Sequence, residues 1–394
     1  MRRADYYPST LENYWVNQVM KAFPEDFRDG ALRKLHEPIQ SLSDLFTRDR
    51  PKTYKDYGNA DAALLSYGIF YHPQTWTRCR FPLIEVAELR GWQAPTNRLV
   101  KVLDIGAGMG AARSSLAQLC IQRYGAPSAE ITMVDHSSQA LAQTHALCMA
   151  MESEGMSISL TTRRADLRSR EALPKPKESS FDVIAISFAL NEAFGEHKEK
   201  HAVAWLRKLK PLLNEGGLLM LIEPAQRVQS ECLHRISDAL VKNAVFHAWG
   251  PQLHNGPCPA HYDGKYWSHE VREWTPPKSL KVVNKHLWRS VETLKFSYTL
   301  LGMHAPNEYE ASPSFFRLAS PMSKMKGHYL ATGIATDGQK YTYDIPTRGY
   351  NRDELTKLDG IERGDVIEVA ELEELSDRYR IPRPEDIIYH FQPR

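Results

Sequence analysis

Asp104, Gly106, Gly108 and Gly110 stand in the run Val102 to Ala112, read Val-Leu-Asp-Ile-Gly-Ala-Gly-Met-Gly-Ala-Ala. An apolar segment ends in a carboxylate and then turns through glycines, with Ala107 between the first two. Glycine lets a backbone turn tightly and approach a ligand with no Cβ in the way. The spacing predicts a helix from Ala111 to about Arg123, whose first turn carries unpaired N–H groups. Such a loop cradles a nucleotide-like cofactor, and two cofactors compete for it. Gly106, Gly108 and Ala111 satisfy the relaxed dinucleotide spacing, so the glycines alone decide nothing. Asp104 discriminates. A carboxylate there repels a pyrophosphate lying over the turn, but attracts the sulfonium and ammonium of S-adenosylmethionine.

Further acidic residues continue this reading. Asp135 closes a second apolar run, Glu130 to Asp135, at the spacing of the residue that holds ribose hydroxyls, with His136 next to it. Asp166, beside Leu167, follows the alternating run Ile158 to Thr162 and can accept from an adenine amine or serve as a helix cap. Phe181 to Ser187 reads as a fourth buried strand and Gly217 to Glu223 as a fifth. The residues therefore point to S-adenosylmethionine, with a nicotinamide dinucleotide as the competing ligand.

Chemistry beyond cofactor binding is less clearly written. Amino-group methyltransferases of nucleic acids often follow the fourth strand with a polar residue, two prolines and an aromatic, which hold an extruded base. Here the chain reads Ser187-Phe-Ala-Leu-Asn191-Glu192. Phe188 can stack and Asn191 can hydrogen-bond, but the prolines are missing, and Phe188 with Leu190 can equally pack the strand–helix junction. A cysteine nucleophile for carbon methylation has one superficial candidate, Cys258 after Pro257, far beyond the fourth strand.

The elements that must position these residues follow from composition and periodicity. The 394 residues exceed one typical domain, and 42% hydrophobic with 25% charged content is ordinary for a globular chain. A net charge of +2 gives no bulk argument for nucleic acid. Local basic clusters (Arg163, Arg164, Arg168 and Arg170; Lys198 to Lys210; Lys324 and Lys326) read first as solvated faces. Five scattered cysteines without a C-x-x-C pair suggest a reducing compartment. No apolar run reaches a membrane span, and the start lacks a secretion signal, so the expected location is the cytoplasm, with no membrane partner.

Residues 1–92 read as an N-terminal helical lobe. Leu11, Trp15, Val19 and Phe23 recur at helical spacing, as do Leu32, Leu35 and Ile39. A loop is expected at Thr47 to Tyr57, then helices from Ala60 to Tyr71 and from Pro82 to Leu89. Residues 93–245 alternate strands with helices, the pattern of a doubly wound Rossmann-like α/β sheet, and end in a helix from about Ser230 to Val245. Residues 246–312 are rich in Trp, His and Pro. Residues 313–394 carry short strands around turns such as Asp337-Gly338, which predicts a small C-terminal β-barrel-like domain, with the oligonucleotide-binding (OB) type as one form of it.

Several segments resemble, in order, the mitochondrial ribosomal small-subunit methyltransferase-like family, which also has bacterial members. They are Leu42-Ser-Asp-Leu-Phe, Tyr67 to Glu88, the glycine loop, Phe188-Ala-Leu-Asn-Glu, Leu221-Ile-Glu-Pro, Gly256-Pro-Cys-Pro, Leu294-Lys-Phe-Ser-Tyr, Lys326-Gly-His-Tyr-Leu, Asp337-Gly and Arg363-Gly-Asp365. The resemblance implies a class I methyltransferase fold, association with the small ribosomal subunit or its rRNA, and a role in subunit maturation. Members of that family commonly carry four cysteines resembling iron–sulfur ligands, of which only Cys258 has a counterpart here. Because such clusters are held largely by thiolates, an iron–sulfur cluster is not expected. His254, Cys258, His261 and His269 form an alternative zinc set, against a loop packed by Trp249, Trp267 and Trp274. Three functions stay open at this point. One is an RNA methyltransferase, the second a non-catalytic ribosome-assembly factor that keeps the fold, and the third a diverged methyltransferase of small molecules or proteins.

Overall fold

The computed structural model describes residues 6–47, 61–175, 180–195, 198–261, 267–287 and 291–392. The chain begins with three helices, α1 (Ser9–Ala22), α2 (Arg28–Arg33) and α3 (His36–Thr47). Leu11, Trp15 and Val19 form the buried stripe of α1, as their spacing requires. The predicted loop after Thr47 lies outside the described residues, as does Ala60. There follows one continuous helical run: α4 (Asp61–Ser66), a π-helical turn (Tyr67–Tyr71) and α5 (His72–Leu89). Pro82 lies inside α5 rather than starting a new helix. An interior proline costs a helix about 3 kcal/mol, but Trp76, Cys79, Phe81, Leu83 and Val86 are all buried along this stretch and offset it. Gly68 permits the close approach of α1. A Cβ there would stand 2.2 Å from the Trp15 ring.

The first sheet contains β1 (Val100–Ile105), β2 (Ala129–Asp135), β3 (Ile158–Arg164), β4 (Phe181–Ser187), β5 (Leu213–Glu223), β6 (His247–Gly250), β7 (Glu270–Glu273) and β8 (Thr293–Gly302). Its order is β3-β2-β1-β4-β5-β8-β6, and β7 pairs with the first half of β8. The first five strands are mutually parallel, while β8 runs antiparallel between β5 and β6. The Trp/His/Pro-rich segment thus supplies three strands to this sheet, a role its composition does not announce.

Alternation along the strands divides the core in two. Val102, Val183 and Leu218 face one layer together with α6 (Ala111–Gln118), α7 (Ser138–Glu152) and the N-terminal helices. Leu103, Ile184 and Leu219 face the other, with α8 (Leu190–Phe194), α9 (Glu199–Leu206) and α10 (Arg227–Lys242). Helices on both faces of a parallel sheet make this the Rossmann-like doubly wound α/β fold that the strand–helix alternation predicts. The order reverses between β1 and β4, so the crevice at their carboxyl ends is where such sheets bind ligands.

After α11 (Lys278–Asn284) and β8 comes a second sheet. Its strands are β9 (Phe315–Leu318), β10 (Ser323–Met325), β11 (His328–Ala335), β12 (Lys340–Pro346), β13 (Val366–Val369), β14 (Glu373–Glu374), β15 (Tyr379–Arg380) and β16 (Ile387–Phe391), with α12 (Arg352–Asp359) between β12 and β13. The ladder runs β14-β15-β12-β11-β9-β13-β16, with β10 on β11. β14 and β16 stand at opposite ends of this ladder and do not pair with each other among the described residues.

This second sheet docks on the first through buried charges. Arg317 of β9 donates to Glu85 of α5 at 2.5 and 3.0 Å and to Glu270 of β7 at 2.8 Å. Arg272 pairs with Glu270, and Tyr298 donates to Glu85 at 2.7 Å. Burial opposes the charge on Glu270, but Arg272 and Arg317 outweigh it and hold its carboxyl below the usual range. Among the described residues, no helix is long and apolar enough to cross a membrane.

Candidate functional site

At the β1–β4 switch point the glycine loop is tied to its neighbours by its own backbone. Gly106 and Ala107 donate N–H bonds to the Val134 carbonyl at 2.8 and 3.1 Å, which anchors the loop on β2. Gly106, Gly108 and Gly110 all have positive φ. Gly106 also packs where no side chain fits, since a Cβ there would lie 2.3 Å from the Cβ of Ala189 and 3.7 Å from Leu167. The loop, Leu167 and the segment after β4 are therefore brought together. Gly110 precedes α6 as its left-handed N-cap.

Asp104 is fully buried beneath this loop. Its Oδ2 accepts from the Arg113 backbone N–H at 3.1 Å, while its Oδ1 has no hydrogen-bond partner. Burial pushes its carboxyl up to about 7, against the lowering effect of the Arg113 hydrogen bond. A buried carboxylate with one oxygen unanswered is costly unless something cationic meets it. The sulfonium and ammonium of S-adenosylmethionine meet that requirement, so the residues present fit this cofactor. Arg113 also fixes the neighbouring helices, donating to Thr144 O at 2.9 Å and to Cys148 Sγ at 3.0 Å on α7.

Asp135 ends β2 with both oxygens engaged. Oδ2 accepts from Gly108 N–H and Oδ1 from Ser137 N–H, each at 2.8 Å. His136 Nδ1 lies 3.2 Å from Asp135 Oδ1, and the His136 carbonyl accepts from Arg164 Nε at 3.1 Å. Asp135 thus stands against the glycine loop. Asp166 is arranged differently. Arg168 supplies its backbone N–H and its guanidinium to the two oxygens, at 2.6 to 3.0 Å, and the pair is exposed. The hydrogen bond from Arg168 holds the Asp166 carboxyl below its usual range. Both oxygens of Asp166 are thus engaged locally by Arg168.

Ser187 closes β4 opposite Ile222. Phe188 follows with φ 61°, a conformation that a bulky residue seldom adopts and that marks functional segments when it occurs. Its N–H donates to the Ile222 carbonyl at 2.7 Å. Asn191, in the first turn of α8, donates its N–H to Glu223 Oε1 at 3.1 Å. Together with Glu223, Phe194, Gln229 and Cys232 it lines a small cavity of about 20 Å³ among α8, α9 and α10.

The alternative zinc set is not assembled. Among the described residues, no group of three or more His, Cys, Asp or Glu side chains is placed to hold a metal ion. Cys258 is buried, which pushes its thiol up to about 11. His254 Nδ1 instead accepts from the Gly256 N–H at 3.1 Å. His269 stacks on Trp267 at 5.2 Å, and burial lowers it to about 4. The side chain of His261 lies outside the described residues. Two of the described members have local partners, His254 in the Gly256 N–H and His269 in the Trp267 ring.

Sequence reading misses the part of the site that the N-terminal lobe supplies. Tyr67, in the π-helical turn, places its hydroxyl 3.9 Å from where a Cβ on Gly108 would stand. Burial raises its pKa, and the charges of Glu192, Asp135 and Asp104 add to that. Arg78 of α5 lies over the Phe188 ring, 5.3 Å from its centroid. The available signal is a cation set among buried residues of one helix; which ring it would cover is not written in the sequence.

Residues 102–217 match the family model described as "Methyltransferase domain". The sheet order and this match give a class I methyltransferase fold. Solved structures similar to the chain include the CMeT domain of citrinin polyketide synthase (16% identity, 77% of this chain and 82% of that one, TM-score 0.36). Magnesium protoporphyrin IX methyltransferase of Synechocystis PCC 6803, with bound SAH, is similar at 11% identity over 67% of this chain and 98% of that one, TM-score 0.33. PKMT2 of Rickettsia typhi is similar at 17% identity over 42% of this chain and 28% of that one, TM-score 0.27. At these levels nothing about substrates is carried across. No curated protein matches the chain.

Proposed function

We propose that this methyltransferase-domain chain binds S-adenosylmethionine at the β1–β4 switch point and methylates the rRNA of the small ribosomal subunit. The observation that carries the cofactor is Asp104, whose buried, unanswered oxygen asks for a cation beneath a loop of three positive-φ glycines. The acceptor class rests on the ordered segments that resemble the ribosomal small-subunit family, from Leu42 to Asp365.

The cofactor, when bound, supplies an electrophilic methyl group. The chain's own residues do the rest. Asp104 holds the cationic end, and Gly106 to Gly110 let backbone approach the nucleoside. Asp135 stands where ribose hydroxyls would replace its bond to Gly108. Phe188 would offer an aromatic face to an acceptor, and Asn191 a polar group three residues further on.

One observation favours a second reading, an assembly factor that binds cofactor without turnover. The N–H of Asn191 is committed to Glu223, and its side chain lines the cavity beneath α8 to α10. Titrating S-adenosylmethionine against the full chain tests the cofactor; absence of binding at millimolar ligand rejects it. Comparing rRNA modification in cells with and without the gene tests the acceptor. Loss of one small-subunit methyl group supports the enzyme, whereas intact modification with defective subunits supports the assembly factor.

A further inference from the structure

Among the described residues, Arg78 is a cation without a counter-charge. Its Nη2 donates to the neutral Gln74 Oε1 at 3.0 Å, and its Nε is buried without a partner. Among the described residues, the groups whose fields it feels are Cys79, Tyr71 and Tyr67, none of them a carboxylate, and burial lowers the guanidinium to about 10. Its one close face is the ring of Phe188. A desolvated guanidinium held in this way is unfavourable unless an anion completes it.

Phe188 adjoins the glycine loop, since its neighbour Ala189 stands against Gly106, and Asp104 with its unanswered oxygen lies buried beneath that loop. Cys79, the next residue on α5, is buried and feels the charge of Asp104, which puts this stretch of α5 on the side of the glycine loop. Tyr67, at the glycine loop, likewise feels Asp104 and Cys79. The site therefore presents one open anion and one open cation. The amino-acid end of S-adenosylmethionine carries an ammonium and a carboxylate on a single carbon, which matches that pair in sign. A guanidinium suits a carboxylate because its fork donates two parallel hydrogen bonds.

We propose that Arg78 receives the α-carboxylate of S-adenosylmethionine while Asp104 receives its ammonium, so that the N-terminal helical lobe completes the cofactor site. This rests on the S-adenosylmethionine reading above. It makes Arg78 a cofactor-binding residue on an element outside the matched methyltransferase domain, which starts at residue 102.

The test compares S-adenosylmethionine with decarboxylated S-adenosylmethionine, which differs only in lacking that carboxylate. Dissociation constants are measured by calorimetry on the full chain, for the wild type, Arg78→Met and Arg78→Lys. Since a hydrogen-bonded charge is worth about 1.5–3 kcal/mol, the wild type is expected to prefer S-adenosylmethionine by about 10- to 100-fold. Arg78→Met should lose that preference yet bind the decarboxylated ligand as the wild type does, and Arg78→Lys should regain part of it. The inference is overturned if Arg78→Met keeps the preference, or if the wild type shows none. Equal loss of both ligands in Arg78→Met overturns it too, since Arg78 is then structural. A wild type that binds neither ligand rejects the cofactor reading itself, and this inference with it.

Discussion

Helix α5 carries charge into two buried places, and they are treated in opposite ways. Two turns after Arg78 it presents Glu85 to the joint between the sheets, where Arg317, Glu270, Arg272 and Tyr298 close a network in which each ionised group meets an opposite charge. At the switch point, Asp104 keeps an unpartnered oxygen and Arg78 an unpartnered Nε. Burial costs an ion several kcal/mol unless it is paired. The joint meets that cost within the protein, which makes it structural. The switch point leaves the cost standing, which is the mark of a site awaiting a charged ligand.

The largest effect should come from breaking the closed network. Arg317→Met leaves Glu85 and Glu270 with less compensation and should destabilise the chain by about 3–5 kcal/mol. Urea unfolding reads this directly, and limited proteolysis should show the C-terminal sheet released first. A loss below 1 kcal/mol would mean that the joint is held by apolar packing alone.

A smaller loss is expected where the lobe that carries Arg78 is seated. Gly68→Ala pushes a methyl group into Trp15, and overpacking of this kind typically costs about 1–3 kcal/mol. Because Tyr67 and Arg78 continue the same helical run, S-adenosylhomocysteine affinity should fall with it. Destabilisation without any change in affinity would separate the lobe from the site.

The open pole should behave in the reverse sense. Asp104→Asn keeps an acceptor for the Arg113 N–H but removes the unanswered charge. Above pH 7 the folded protein should be as stable as the wild type or more so, while affinity for S-adenosylmethionine drops by about 10-fold or more. The pH dependence has a definite sign. The folded carboxyl lies near 7, against an ordinary 3.8. Its contribution to the stability of the ligand-free chain is therefore full below pH 3.8 and is lost as pH rises to about 7. A cationic ligand needs the ionised form, so affinity rises over the same window with release of a proton. Calorimetry in buffers of different ionisation enthalpy checks this; a flat profile in the wild type would remove Asp104 from the cofactor's contacts.

The smallest effect belongs to Asp166. Its pair with Arg168 is exposed, so Asp166→Ala should change stability by less than about 0.5 kcal/mol in thermal melts. A several-fold loss of cofactor affinity in this variant would restore the adenine role that its present bonds conceal.

Much of the first sheet was legible because parallel strands buried on both faces read as continuous apolar runs, as Val102 to Ile105 and Phe181 to Ile186 do. The glycine loop was legible for a similar reason, since positive φ restricts residue type. β6, β7 and β8 were not. They pair across long sequence separations, and their residues carry no local period that tells which strand they will meet. The same cause hid where His254, Cys258 and His269 lie: spacing along a chain does not say which way each turns, and among the described residues no three such groups come together.

The sequence by itself determined the carboxylate–glycine loop, the acidic strand ends and the strand–helix alternation, because each depends on neighbours within a few residues. That α5 lays Arg78 across Phe188 beside the glycine loop, and that its Glu85 is answered at the joint, follows from packing between distant segments. Those outcomes depend on how a helix packs against a sheet. Identical charges on one helix become structural or available according to what the rest of the fold brings to meet them.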